Sequence, residues 1–251
     1  MVRRSQRFIP LVDALKSTHP GLLSPETAIV RGMVHVDGVI ALNPRANVRM
    51  DAAIKVKIPQ ELQGAKKLAK ALDHFGILVE GRVAVDLGAS AGGFTGLLVE
   101  RGASVVYAVD AGFGQLLGSL RQNQRVRNLE RTNLSEVTTE LIPDSVDIMT
   151  IDLSYVAIAT AISQVERINF SHDADLVALV KPMYELALGR LPVEEDEFQR
   201  AIGHAVEGIE DSPWSVQGVI RSPVRGHRGA IEFLLHAKRL SAPHVEGAAT
   251  I

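Results

Sequence analysis

The stretch Val83-Ala-Val-Asp-Leu-Gly-Ala-Ser-Ala-Gly-Gly-Phe-Thr95 decides how the rest of this chain is read. Val83 to Val85 is a short apolar run suited to a strand buried in a parallel sheet, and Asp86 is expected to end it with a carboxylate facing a crevice. Gly88, Gly92 and Gly93 let the backbone turn and come close to a ligand, and from Phe94 to Arg101 apolar residues return at helical spacing. A second apolar strand, Val105 to Val109, stops at Asp110. That acid lies 24 residues after Asp86, in the region where a nucleoside-binding unit places the carboxylate that holds a ribose.

The spacing of the loop selects among nucleoside ligands. A dinucleotide fingerprint would read Gly-x-Gly-x-x-Gly, whereas here Ser90 stands where the second glycine would admit a pyrophosphate, so NAD and FAD are disfavoured. No Gly-Lys-Ser or Gly-Lys-Thr follows, so there is no P-loop. Asp-x-Gly-x-x-x-Gly-Gly, followed by an acid after the second strand, is the pattern expected for S-adenosyl-L-methionine. Its charged amino-acid tail and ribose need backbone groups and carboxylates but no phosphate cradle. The expected cofactor residues are Asp86, Gly88, Ser90, Gly92, Gly93, Phe94, Asp110 and Asp152. Thr132 and Asn133, a polar pair at the end of the strand Val126 to Leu129, are candidates for an adenine edge or for a plain turn.

Further along, Val146 to Ile151 is an apolar run ending at Asp152, and Asp175 to Val180 is another ending at Lys181. Strands alternating with helical segments imply an α/β fold with a doubly wound, Rossmann-like parallel sheet, whose ligands sit outside the carboxyl ends of the strands. The 251 residues, 46% of them hydrophobic, provide ample core. The absence of cysteine excludes disulfides, thiolate metal sites and cysteine nucleophiles. No apolar run reaches the ~18 residues of a membrane span, and Met1 to Pro10 lacks the apolar core of a signal peptide, so the expected location is cytoplasmic and no membrane partner is expected.

The net charge of −2 hides an asymmetry. Residues 1–72 carry twelve Lys/Arg against five Asp/Glu, leaving the remainder at −9. A basic end on an acidic body suggests a polyanion-binding appendage. Within it, Ile9 to Leu15 and Glu26 to Arg31 are expected as short helices, the second begun by Ser24-Pro25. Met33 to Val36 and Val39 to Leu42 flank Asp37-Gly38, a hairpin signal. Two helices and a hairpin resemble the small α+β RNA-binding module first described in ribosomal protein S-four. That resemblance makes Arg3, Arg4, Arg7, Arg31, Arg45 and Arg49 candidates for RNA contact. The module usually opens its second helix with Ser-Arg, and here Ser24-Pro25-Glu26 stands in that place.

The run from Gly64-Ala-Lys-Lys67 through the glycine loop, Tyr107-Ala-Val-Asp110, Gly114-Gln115-Leu, Glu130-Arg-Thr-Asn133, Asp152-Leu-Ser and Leu179-Val-Lys181-Pro resembles the TlyA family of ribosomal RNA methyltransferases, also called hemolysins. The resemblance spans nearly the whole chain. It implies a module over residues 1–58 and, over 59–251, an FtsJ-like methyltransferase domain that methylates ribose 2′-oxygens with S-adenosyl-L-methionine, with ribosomal RNA as partner. The implied catalytic set is Lys67, Asp152, Lys181 and Glu232, the last within Gly229-Ala-Ile-Glu-Phe-Leu234. The chain departs from the family's Lys-Pro-Gln-Phe-Glu by reading Lys181-Pro-Met-Tyr-Glu185, and it keeps only Gly189 of the glycine-rich stretch that follows.

The residues make chemical sense on their own. Glu232 falls in an apolar, strand-like run, Ala230 to Leu235, where an unpaired carboxylate would be costly to bury, so it should have a cationic partner. Methyl transfer from a sulfonium needs the acceptor oxygen in line and a path for its proton. Lys181 is the candidate base or hydroxyl orienter, with Lys67, Asp152 and Glu232 around it. After the fourth strand a base methyltransferase would more plausibly read Asn-Pro-Pro-Tyr, and this chain reads Asp152-Leu-Ser-Tyr155. A methyltransferase for non-RNA substrates and a catalytically degenerate RNA-binding assembly factor stay open as alternatives. The lytic activity implied by the word hemolysin finds no amphipathic or spanning segment.

Overall fold

In a computed structural model, described over residues 7–22, 24–30, 32–56 and 63–240, the protein forms two units, Met1–Glu61 and Leu62–Ile251. The first contains β1 (Phe8–Pro10), α1 (Leu11–Thr18), α2 (Pro25–Val30), β2 (Val34–Val36), β3 (Val39–Ala41), β4 (Asn47–Arg49) and β5 (Ile54–Val56). β3-β2-β5 make an antiparallel sheet and β1 pairs with β4. At the β2–β3 turn Asp37 and Gly38 have φ of 48° and 87°, the double left-handed geometry of a tight hairpin. Asp37 also accepts the Ala53 N–H at 2.9 Å, which ties β5 to the turn. Leu11, Leu15, Ile29 and Val34 form the small core.

The first helix corrects the expectation of Ile9 to Leu15: it begins at Leu11 and runs to Thr18. Phe8–Pro10 is drawn into a ladder with β4, and Pro10, which has no N–H to give to a helix, caps the start. Of the six arginines proposed for RNA, Arg3, Arg4 and Arg31 lie outside the described residues. Arg7 and Arg45 are exposed, and Arg49 pairs with Asp51 at 3.3 Å and Asp37 at 3.9 Å.

The second unit contains α3 (Gln63–Phe75), β6 (Val83–Leu87), α4 (Gly93–Glu100), β7 (Val105–Asp110), α5 (Gly118–Arg121), β8 (Val126–Glu130), β9 (Val146–Ile151), α6 (Ile158–Gln164), β10 (Phe170–Val180), α7 (Pro182–Glu185), α8 (Glu195–Glu210), β11 (Trp214–Arg221) and β12 (Phe233–Arg239). The strands form one seven-stranded sheet in the order β11-β12-β10-β9-β6-β7-β8. β10, β9, β6, β7 and β8 are mutually parallel, and β12 runs antiparallel between β10 and β11. Alternate residues of each strand supply two cores. Ala84, Val106, Ile148 and Val177 meet Leu68 and Leu72 of α3 and Leu98 of α4. Val85, Tyr107, Met149 and Leu176 meet Ile158 and Ile162 of α6 and Ala205 and Ile209 of α8 on the other face. The sheet is therefore doubly wound.

From β6 the chain moves outward through β7 to β8, then crosses back to β9 on the other side of β6. This reversal opens a crevice at the carboxyl ends of β6 and β9, the usual ligand position in such sheets. At the opposite end of the sheet, buried Asp175 accepts hydrogen bonds from Arg82 and His236, both at 2.7 Å, and from Lys238 at 3.0 Å. Burial pushes this carboxyl up, but the three bonds outweigh it and hold the value at about 2. This cluster clamps β10 to β12 and to the start of β6, away from the crevice.

Candidate active site

The crevice begins at the β6–α4 loop. Gly88 has φ of 89°, and a Cβ there would overlap the backbone oxygen of Asp152 and sit 3.0 Å from its carbonyl carbon. Only glycine allows this close approach of the β6 and β9 ends. Ser90 is left-handed at φ 47°, which aims its N–H at Asp110 Oδ2, 2.8 Å away. Asp110 Oδ1 accepts the Gly112 N–H at 2.6 Å, so this one carboxylate joins the loops after β6 and β7. Glu130, at the end of β8, accepts the N–H groups of Gln115 at 2.8 Å and Leu116 at 3.2 Å and pairs with Arg121 at 2.9 Å, which fixes the loop after β7.

Four polar side chains converge beside this loop. Lys67, on α3, gives Nζ to Glu232 Oε2 at 2.6 Å, and both are buried. Lys181, directly after β10, places Nζ 2.6 Å from Asp152 Oδ1 and donates to Ser154 Oγ at 2.7 Å. All four, with Gly88, Ser90 and Ser154, line a cleft of about 550 Å³ whose far wall carries Tyr184, Arg190, His227 and Arg228. Asp110, Thr132, Gln115 and Tyr155 line an adjoining cavity of about 200 Å³. Gln63, Gly93 and Phe94 line a third of about 160 Å³. Gly88, Ser90 and Asp152 border all three, which makes them one branched crevice.

Three cofactor candidates are not on its wall. Asp86 lies inside β6, fully buried, and does not face the crevice: the strand runs one residue beyond it, and its carboxylate accepts hydroxyls from Thr95 at 2.6 Å and Thr150 at 2.8 Å. Gly92 caps α4 with φ of 95°, where any Cβ would overlap Leu120. Asn133 is exposed and gives its backbone and amide N–H to Glu136, at 2.7 and 3.2 Å, as the cap of a short helical turn. Glu232 also departs from expectation, because it precedes β12 and lies in the turn before it. Glu185 of the Lys-Pro-x-x-Glu pattern is buried and accepts the Ile158 N–H at 3.0 Å, so it anchors α6. Ser154 could have been found from the Asp-Leu-Ser motif. Arg190, bound to Glu197 at 2.6 Å, and Arg228 have no local sequence signal.

Burial pushes the Asp86 carboxyl up to about 6, only partly countered by the bonds from Thr95 and Thr150. The folded value is raised, so the unfolded chain ionises first. Stability should fall as pH rises from about 4 to about 6 and level off above, by roughly 3 kcal/mol in all. Denaturant midpoints across this range should show the slope in the native protein and not in Asp86→Asn. Identical slopes would remove the assignment.

Comparisons with known proteins agree with this geometry. Residues 62–239 match the FtsJ-like methyltransferase family. The chain is 38% identical over 213 residues to the 16S/23S rRNA (cytidine-2′-O)-methyltransferase TlyA of Mycobacterium tuberculosis, covering 81% of this chain and 79% of that one. It is 31% identical over 216 residues to Hemolysin A of Brachyspira hyodysenteriae, covering 83% and 90%. A solved structure described as a hemolysin from Streptococcus thermophilus superposes with a TM-score of 0.66 at 27% identity, over 95% of this chain and 91% of that one. Among the described residues no helix is long and apolar enough to cross a membrane. The chain belongs to the FtsJ-like methyltransferase family, with the TlyA-type proteins as its relatives.

Proposed function

We propose that this protein transfers the methyl group of S-adenosyl-L-methionine to a ribose 2′-oxygen of ribosomal RNA, in the cytoplasm. The observation that carries the proposal is the Lys181 amine, held between Asp152 and Ser154 on the wall of a cleft that opens into the glycine-loop cavities. Lys181 Nζ donates to Ser154 Oγ and pairs with the Asp152 carboxylate, and an ammonium, with three N–H groups, can hold an acceptor oxygen as well. Asp110 and Thr132 suit the cofactor's ribose and adenine, and the backbone from Gly88 to Phe94, with Gln63, suits its amino-acid end. Bound there, S-adenosyl-L-methionine would supply an activated methyl group, while the Lys181 ammonium holds the acceptor oxygen and the Asp152 carboxylate beside it takes the hydroxyl proton. Positioning does most of the work, because a sulfonium is already an activated leaving group. The TlyA relative's name, which specifies cytidine-2′-O, supports the same acceptor.

The test is single-turnover transfer to a ribosomal RNA fragment and to the same oligonucleotide with deoxyribose at the target. Transfer should occur only to the ribose form. Equal methylation of both would exclude 2′-oxygen chemistry.

In this proposal residues 1–61 form an RNA-binding module that grips the phosphate backbone, with Arg7 and Arg45 presented to solvent. Phe8 is the only aromatic residue before residue 62, so base stacking contributes little. Removing the module should leave cofactor affinity unchanged, lower RNA affinity and flatten its salt dependence. Equal RNA affinity with and without residues 1–61 would refute the role.

A further inference from the structure

Gly226 stands in the loop between β11 and β12, six residues before Glu232, and no motif marks it. Its φ of −76° is open to every residue, so the backbone conformation does not call for glycine. Space does. A Cβ at this position would overlap Oε1 and the carboxyl carbon of Glu232 and lie 2.9 Å from Oε2. A flexible surface carboxylate could swing aside. This one is buried and tethered to Lys67 at 2.6 Å, so moving it aside disturbs that pair.

The wall that Gly226 presents is itself fixed. Its N–H donates to Ala230 O at 2.9 Å, and the Gly229 N–H returns to Gly226 O at 3.1 Å. Arg225 reaches across to Gly229 O at 3.0 Å, and the Ser222 N–H holds Glu232 O at 2.9 Å. The loop is thus a closed clasp whose inner surface is the Gly226 α-carbon. The carboxylate is held on one side by the Lys67 ammonium and on the other by bare backbone.

We infer that Gly226 is a positioning residue for the methyl transfer: its missing side chain creates the slot that keeps the Glu232 carboxylate against Lys67 beside the acceptor site. This rests on the proposed function together with the catalytic set that the family resemblance implies, to which Glu232 belongs and which lines one cleft with Lys181. The loop also carries His227 and Arg228 on the wall of the same cleft, so the slot and the substrate wall are parts of one rigid turn.

The test is a double-mutant cycle on the full chain with Gly226→Ala, Glu232→Ala and the combination, measuring turnover, cofactor affinity by calorimetry and thermal midpoint. Gly226→Ala should lower turnover at least tenfold with cofactor affinity within twofold of native. In the Glu232→Ala background the same substitution should cost nothing further, because the truncated side chain leaves room for the new methyl. Full turnover in Gly226→Ala, or losses that multiply in the double variant, would overturn the inference. Should Gly226→Ala prove too unstable to assay, the double variant must recover the thermal midpoint of Glu232→Ala alone, and a double variant as unstable as the single refutes the slot. Should Glu232→Ala itself keep native turnover, the failure belongs to the proposed function, and the stability arm of the cycle still decides whether Gly226 holds this carboxylate.

Discussion

Lys181→Ala should reduce turnover by about 10²–10⁴-fold, the range for disabling acid–base catalysis, because Asp152 then faces an acceptor oxygen that nothing holds in place. Cofactor affinity should stay close to native, because Lys181 lines only the largest branch of the crevice and neither cofactor cavity. The fold should survive the change. Asp152 loses its partner but is a quarter exposed at its side chain, so water can solvate it. Since Lys181 acts on the acceptor oxygen during transfer, kcat and kcat/KM should fall together. Single-turnover rates beside calorimetric cofactor titrations check both halves. A variant with native turnover, or one whose defect is confined to cofactor binding, would remove Lys181 from the chemistry.

The Lys67–Glu232 pair calls for a different result. Both side chains are less than a tenth exposed, so deleting either leaves an uncompensated charge in the interior. Glu232→Leu or Lys67→Met alone should destabilise the protein by about 3–5 kcal/mol. The double variant should regain most of that stability, because apolar side chains of similar volume replace a buried ion pair at little net cost. Turnover should not return with it. Denaturant unfolding and single-turnover assays on the three variants separate the two roles. Restored turnover in the double variant would make the pair a structural tie only, and unchanged stability in the single variants would contradict its burial.

How much of this was legible in the sequence depends on how local the cause is. The glycine loop, Asp152 and Lys181 were found because each is a polar stop or a turn at the end of an apolar strand, a pattern contained in a few residues. Asp86 was misplaced because the strand continues through Leu87, and nothing in the run shows that Thr95 and Thr150 will satisfy a buried carboxylate. Asn133 was ambiguous between ligand and turn, and in the structure it caps a short helical turn through Glu136. A cationic partner for Glu232 could be demanded from burial, but its identity as Lys67 is set by the order of strands. Gly226 left no trace, because its reason is a neighbour in space and its backbone angle is ordinary.

That order of strands bears on how the enzyme comes into being. Lys67 and Glu232 are 165 residues apart, and β12, which follows Glu232 directly, is both the last strand among the described residues and an inner strand, inserted between β10 and β11. A chain still emerging from the ribosome can assemble β6 to β10 in sequence, but β11 has no place in the sheet until β12 arrives. Contacts this distant along the chain close late. The Lys67–Glu232 pair is therefore made by the same event that completes the sheet. An unfinished or C-terminally clipped chain would hold the nucleoside crevice without the carboxylate. On the proposed function such a chain should bind cofactor without turning it over, which ties activity to completion of the sheet.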